Sequence, residues 1–229
     1  MDRSCPVIIA MKGHPGSGKS TLAHAIASAI RCPLLDKDDI RDCTGPLEHH
    51  HHLNPALLND LSYSVLWRMA NTQLCLGLHV VIDSPLSRRA HLDSLMSLLG
   101  GGGPRKARLV IVECRAGDKE EWRRRLERRT AASDGEAGWH KPGTWQELQR
   151  LVEGYNGCND YDVGDVPKLV VDTTGGAGVE ELVARVLQFV GLEEVGQQFA
   201  AWGPALAGMS GDLPGLFHFG NDLSETQVM

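Results

Sequence analysis

Nine consecutive residues, Gly13-His14-Pro15-Gly16-Ser17-Gly18-Lys19-Ser20-Thr21, combine residue types that together can hold a phosphate chain. They fit the pattern G-x-x-x-x-G-K-[ST]. Glycines let the backbone approach a phosphate without a Cβ clash. Successive N–H groups form a concave anion nest, and a helix starting behind them points its positive end at the same place. Lys19 can reach β- and γ-phosphates, and the Ser20 hydroxyl can serve Mg²⁺. Two carboxylate-bearing stretches could complete such chemistry. Asp36-Lys37-Asp38-Asp39-Ile40-Arg41-Asp42 gathers acids and an arginine. Helix capping and first-turn placement can account for Asp36 or Asp42. They account less well for Asp38 and Arg41, which a helical turn would bring to one face. The run Leu78-His79-Val80-Val81-Ile82-Asp83 ends in an acid that could hold Mg²⁺ directly or through water.

These residues need strands and helices behind them. Val7–Met11 is an apolar run before the glycine-rich loop, and Leu22, Ala25, Ile26, Ala29 and Ile30 follow at helical spacing. Leu34-Leu35 reads as a second strand, with Asp36 onward at its carboxyl end, where function collects in parallel α/β folds. Thr44 to Leu53, with histidines at 49 to 52, reads as a solvated loop, since consecutive residues cannot all face one ion. Asn54-Pro55 starts a long helix as cap and first turn, with Leu58, Leu61, Val65, Met69 and Leu76 as the expected inward stripe. Leu78–Asp83 is the third strand. Arg88 to Leu99 is a helix with Leu92, Leu95, Met96 and Leu99 inward. Leu109–Cys114 is the fourth strand. Asp118 to Arg129 is a helix rich in arginine, some of it solvated and paired with Glu120, Glu121 or Glu127, some able to clamp phosphate through the guanidinium fork. Thr130 to Gly143 is polar and small. Thr144 can cap a short helix to Leu151, Lys168–Asp172 is the fifth strand, and Val179 to Val190 is a last helix with Leu182, Val183, Val186 and Val190 inward.

Strands alternating with helices mean a parallel sheet covered on both faces. The 229 residues suit one globular domain, over about residues 1–190, followed by an irregular acidic tail, 191–229. The formal charge is −6; five acids and no base follow Arg185, so the body carries about −1, which gives no support for general nucleic-acid affinity. The six cysteines are scattered without a C-x-x-C pair, the pattern of reduced thiols in a cytoplasmic protein. No apolar run reaches membrane-span length, and no targeting segment precedes the first strand.

Together these residues resemble the P-loop kinase group that includes phage polynucleotide 5′-kinase, gluconate kinase, chloramphenicol phosphotransferase and zeta toxins. Gly13 to Thr21, GHPGSGKST, is close to that group's GxPGSGKST loop. Lys37-Asp38-Asp39-Ile40-Arg41 resembles the R-D-D-Y-R segment of polynucleotide kinase, at nearly the same distance after the loop. Arg125-Leu126-Glu127-Arg128-Arg129 resembles the R-L-x-x-R of the lid in related small kinases. The likeness covers about residues 5 to 190. It implies a three-layer α/β P-loop NTPase fold, with a five-stranded parallel sheet, helices on both faces and a small helical lid over about residues 120–153. It also implies ATP and Mg²⁺ as cofactors and transfer of a phosphoryl group to a hydroxyl. In that scheme Gly13 to Thr21 bind the nucleotide and Lys19 stabilises the transferred group. Ser20 and Asp83 hold the metal, Asp38 activates the acceptor, Arg41 contacts the acceptor side, and Arg125 or Arg129 closes over the developing charge. A small-molecule acceptor is expected ahead of a nucleic-acid 5′-hydroxyl, because aromatic content is only 5% and forms no base-stacking pattern. The alternative class is a nucleotide hydrolase or switch without an acceptor. No N-K-x-D guanine motif supports a GTPase.

Overall fold

The computed structural model describes residues 5–49, 51–100, 107–132 and 141–193. The expectations for Ser133-Asp134-Gly135, Trp139 and the tail beyond residue 193 therefore lie outside the described residues. In chain order the elements are β1 (Val7–Lys12), α1 (Lys19–Ile30), β2 (Leu34–Asp36), α2 (Lys37–Asp42), α3 (Gly45–His49) and α4 (Pro55–Cys75). Then come β3 (Val80–Asp83), α5 (Arg89–Gly100), β4 (Arg108–Arg115), α6 (Lys119–Ala132), α7 (Trp145–Gly154), β5 (Lys168–Asp172) and α8 (Val179–Val190). The five strands are all parallel, in the order β2-β3-β1-β4-β5.

The strands read as apolar runs because the sheet is buried on both faces. Successive β1 residues serve opposite layers. Val7, Ile9 and Met11 pack with Leu22, Ile26 and Ile30 of α1 and with Leu182, Val186 and Val190 of α8. Ile8 and Ala10 pack with Leu66, Ala70 and Leu74 of α4 and Leu92 and Leu95 of α5. The sequence's inward residues on α5 and α8 are the ones that meet the sheet, with Met96 and Leu99 partly buried. No helix among the described residues is long and apolar enough to cross a membrane.

Three local expectations are corrected. The third strand begins at Val80; Leu78 and His79 precede it, and His79 instead accepts the Val7 backbone N–H on its Nδ1 at 3.1 Å. Residues 45–49 form helix α3 within the stretch read as a loop, started by the Thr44 carbonyl, which accepts the N–H groups of Leu47 and Glu48. The inward stripe of α4 is rotated. Asn54 caps this helix as expected, accepting from Ala56 N–H at 2.9 Å. Leu58 is buried, but Leu61, Met69 and Leu76 are exposed, and Ser62, Tyr63, Leu66, Ala70 and Leu74 are buried instead. Ser62 can take a core position because its hydroxyl donates to the Leu58 carbonyl at 2.8 Å.

Candidate functional site

The phosphate loop lies between the end of β1 and the start of α1. Gly13 sits at φ 148°, and a Cβ there would fall 2.6 Å from the Cys114 carbonyl oxygen, so only glycine fits. Gly18 takes a left-handed conformation as the N-cap of α1, at φ 78°. Neighbouring segments brace the loop. Pro85 accepts the Gly13 N–H, Trp122 Nε1 donates to the Pro15 carbonyl at 2.9 Å, and Thr173 Oγ1 donates to the Ser17 carbonyl at 2.7 Å. The loop is thus held from β3's exit, from α6 and from the turn after β5.

His14 lies between two rings. Its centroid is 5.9 Å from Trp122 and 5.8 Å from Tyr155. Burial, and then the Lys12 charge, hold the imidazole below its ordinary pKa, so it packs here as a neutral ring. On either side of Gly13 the same residue is gripped twice: Lys12 Nζ donates to the Asn159 carbonyl at 2.8 Å, and the Asn159 amide meets His14 Nε2 at 3.4 Å. Lys12 is buried beside Glu113, whose carboxyl burial pushes up; the Arg115 hydrogen bond and the Lys12 and Lys168 charges outweigh this and leave it low.

Lys19 reaches across to Asp83, and the two form a buried ion pair. Asp83 is fully buried at the end of β3, and its second oxygen, Oδ2, has no hydrogen-bond partner among the described residues. Ser20 is exposed on the cleft side of α1. A buried carboxylate oxygen without a donor, next to a hydroxyl-bearing loop, is what a hard divalent cation would satisfy. Asp83 and Ser20 therefore fit a Mg²⁺ site.

A cleft of about 760 Å³ opens above the loop. Its lining includes His14, Pro15, Gly16, Gly18, Lys19, Ser20 and Thr21 on the loop side, with Asp38, Arg125, Arg128, Arg129 and Lys141 facing them. Arg125 donates to the Thr173 carbonyl at 2.9 Å and pairs with Glu121 at 2.9 Å. Arg129 donates to the Pro142 carbonyl at 2.7 Å, and burial holds its guanidinium below its ordinary pKa, although nearby Asp38 acts the other way.

The structure separates the two residues that spacing had put on one face. Asp38 lines the cleft, where Lys37 and Lys141 pair with its two oxygens at 2.7 and 2.9 Å. Arg41 is 4% exposed and is not among the residues lining the cleft. Its guanidinium donates to Thr44 Oγ1 at 2.6 Å and forms an ion pair with Glu48 of α3. Asp36 is the N-cap of α2, accepting the Asp38 N–H at 2.8 Å. Burial, followed by the Asp83 carboxylate, pushes Asp36 up to about 6.

Three contributors were not read from the sequence as site residues. Thr173 could have been found as a polar residue beyond the carboxyl end of an apolar strand. Trp122 and Lys141 carry no comparable signal, because only the folded lid brings them to the cleft.

The fold has solved counterparts. A candidate kinase from Chloroflexus aurantiacus J-10-fl superposes with TM-score 0.60 at 21% identity, over 80% of this chain and 98% of that one. A sugar kinase from Janibacter sp. HTCC2649 gives TM-score 0.57 at 17% identity, over 83% and 98%. A gluconokinase from Sinorhizobium meliloti 1021 gives 0.52 at 21%, over 86% and 97%. No curated protein matches the chain in sequence. The family model described as AAA domain matches residues 8–149, a span running from β1 to within α7 that includes the phosphate loop, Asp38, Asp83 and the arginine helix. With a parallel sheet of P-loop kinase type behind that span, the chain belongs to this AAA domain family.

Proposed function

We propose that this protein is an ATP-dependent kinase that transfers the γ-phosphoryl group of Mg-ATP to a hydroxyl of a small-molecule acceptor. The observation that carries this reading is the single cleft in which Lys19 and the phosphate loop face the Asp38 carboxylate across a row of cations. Phosphoryl transfer is largely positioning and charge stabilisation, and this cleft offers both. The backbone of residues 13–18 cradles the nucleotide phosphates. Lys19, which pairs with Asp83 in this structure, balances charge on the transferred group. Mg²⁺, held by Ser20 and Asp83, would supply charge neutralisation. Asp38 orients the acceptor hydroxyl or takes its proton. Arg125 and Arg129 approach from the lid, and the lid excludes water. Arg41 stiffens the turn that presents Asp38.

The similarity to a sugar kinase and a gluconokinase supports a small acceptor. So does the low aromatic content, which offers few platforms for nucleic-acid bases. The test is the fate of label from [γ-³²P]ATP with Mg²⁺, in the presence of pooled hydroxylated metabolites or 5′-hydroxyl oligonucleotides. Label in a small organic acceptor supports the reading. Label in the oligonucleotide changes the acceptor class. Label found only as inorganic phosphate supports a hydrolase or switch instead.

A further inference from the structure

Lys141 belongs to no recognised motif, yet its Nζ lies 2.9 Å from Asp38 Oδ2. Its side chain is 28% exposed and lines the cleft. The backbone that carries it is fixed at several points. Arg129 of α6 donates to the Pro142 carbonyl at 2.7 Å, and Thr130 Oγ1 donates to the Gly143 carbonyl at 2.7 Å. Thr144 and Glu147 then form a reciprocal capping box that starts α7. Glu147 also accepts the Gly143 N–H at 2.8 Å. The same helix α6 touches the phosphate loop at its other end, through Trp122 and the Pro15 carbonyl. The lid therefore contacts the phosphate loop through Trp122 of α6, and Lys141, held beside that helix, brings an ammonium ion to Asp38.

We propose that Lys141 is a positioning residue for Asp38: the docked lid uses its ammonium group to hold that carboxylate ionised and aimed into the cleft. This rests on the kinase reading above. It also gives Arg129 a use, since that guanidinium holds the Pro142 carbonyl next to Lys141. Lys37, from Asp38's own helix, grips the other oxygen at 2.7 Å, so the carboxylate is held between two cations and cannot rotate freely. Among the described residues, further charged or titratable groups around Asp38 include Asp36 at the end of β2, Tyr63 of α4, Arg129 of α6 and Tyr155 after α7. Burial lowers the Lys141 ammonium's proton affinity, but Asp38 outweighs it and leaves the pKa above its ordinary value.

The test uses the full chain with Mg²⁺ and a non-hydrolysable ATP analogue. Aspartate is labelled with ¹³C at the side-chain carboxyl, and Asp38 is assigned by the signal missing from Asp38→Asn. In Lys141→Met the Asp38 titration midpoint should rise by about 1 pH unit or more, as expected on removing a cation at this distance. Lys141→Arg should restore it. If Lys141→Met does not fold, as judged by circular dichroism, Lys141→Gln keeps a polar stem and carries the same expectation. A midpoint that stays put in the neutral variants overturns the proposal. The kinase reading is tested separately by phosphate transfer from labelled Mg-ATP in Asp38→Asn. If Asp38 responds to Lys141 but Asp38→Asn transfers at the wild-type rate, the ion pair exists and both its catalytic meaning and the site reading fall. If Asp38→Asn loses transfer while the Asp38 midpoint in Lys141→Met equals that of the wild type, the positioning role alone falls.

Discussion

The phosphate loop and helix α2 stand at two ends of one cleft, and their residues behave differently. In the loop, residues 13–21 converge because the backbone itself forms the site; glycine geometry leaves few alternatives. In α2, the two side chains that looked like a pair diverge. Asp38 turns into the cleft, while Arg41 turns inward to Thr44 and Glu48. A motif built on backbone N–H groups predicts where its atoms go. A motif built on two long side chains predicts only a shared turn of helix, and neighbouring elements choose the partners.

Breaking the loop should have the largest effect. Lys19→Ala is expected to lower phosphate transfer at saturating Mg-ATP by about 10²–10³-fold, by analogy with loss of other preorganised charge-stabilising groups. An unchanged initial rate would remove Lys19 from the site. Arg41→Ala should act on stability first. It strands the Glu48 carboxylate and opens a buried position, for a loss of about 2–3 kcal/mol in urea denaturation. A large rate loss without a stability loss would instead place Arg41 at the acceptor.

Asp36 sharpens the comparison through pH. Its carboxyl is raised to about 6 in the fold, so the folded chain holds that proton more tightly than the unfolded one. Its stabilising contribution is complete below about pH 4 and is lost as the pH rises through 6. Asn can still cap α2 without ionising. Asp36→Asn, free of nucleotide, should therefore lose less stability between pH 4 and pH 7 than the wild type, by about 1–2 kcal/mol once partial exposure is allowed for. Parallel pH profiles of unfolding would contradict this. At the small end, Arg123 pairs with Glu127 on the solvent side of α6, with both side chains about half exposed. Arg123→Ala should leave thermal midpoint and transfer rate unchanged, unlike Arg125→Ala on the inner face.

The sheet was legible because its strands are short apolar runs closed by loops; its register was not, since strands buried on both faces show no alternation that would fix it. The rotated stripe of α4 was not legible. Apolar residues occur on more than one side of that helix, and only the packed sheet selects Tyr63 and Leu66 over Leu61 and Met69. Gly13 to Thr21 and Asp83 were readable as chemistry because each stands at a strand's carboxyl end. Lys141 and Trp122 reach the site through tertiary docking, and their local sequence says nothing of it. Helix α3 was hidden by the histidine run that begins at its last residue and looks like solvated loop, although Glu48 within it receives Arg41.

The most direct test of the two-ended cleft compares Asp38→Asn with the wild type in two measurements on the same protein: affinity for Mg-ATP and single-turnover transfer to the acceptor. Nucleotide affinity is expected within about threefold of wild type and transfer lowered by about 10²-fold or more, the scale of general acid–base contributions. Equal loss of both, or transfer at the wild-type rate, would contradict the assignment of Asp38 to the acceptor side.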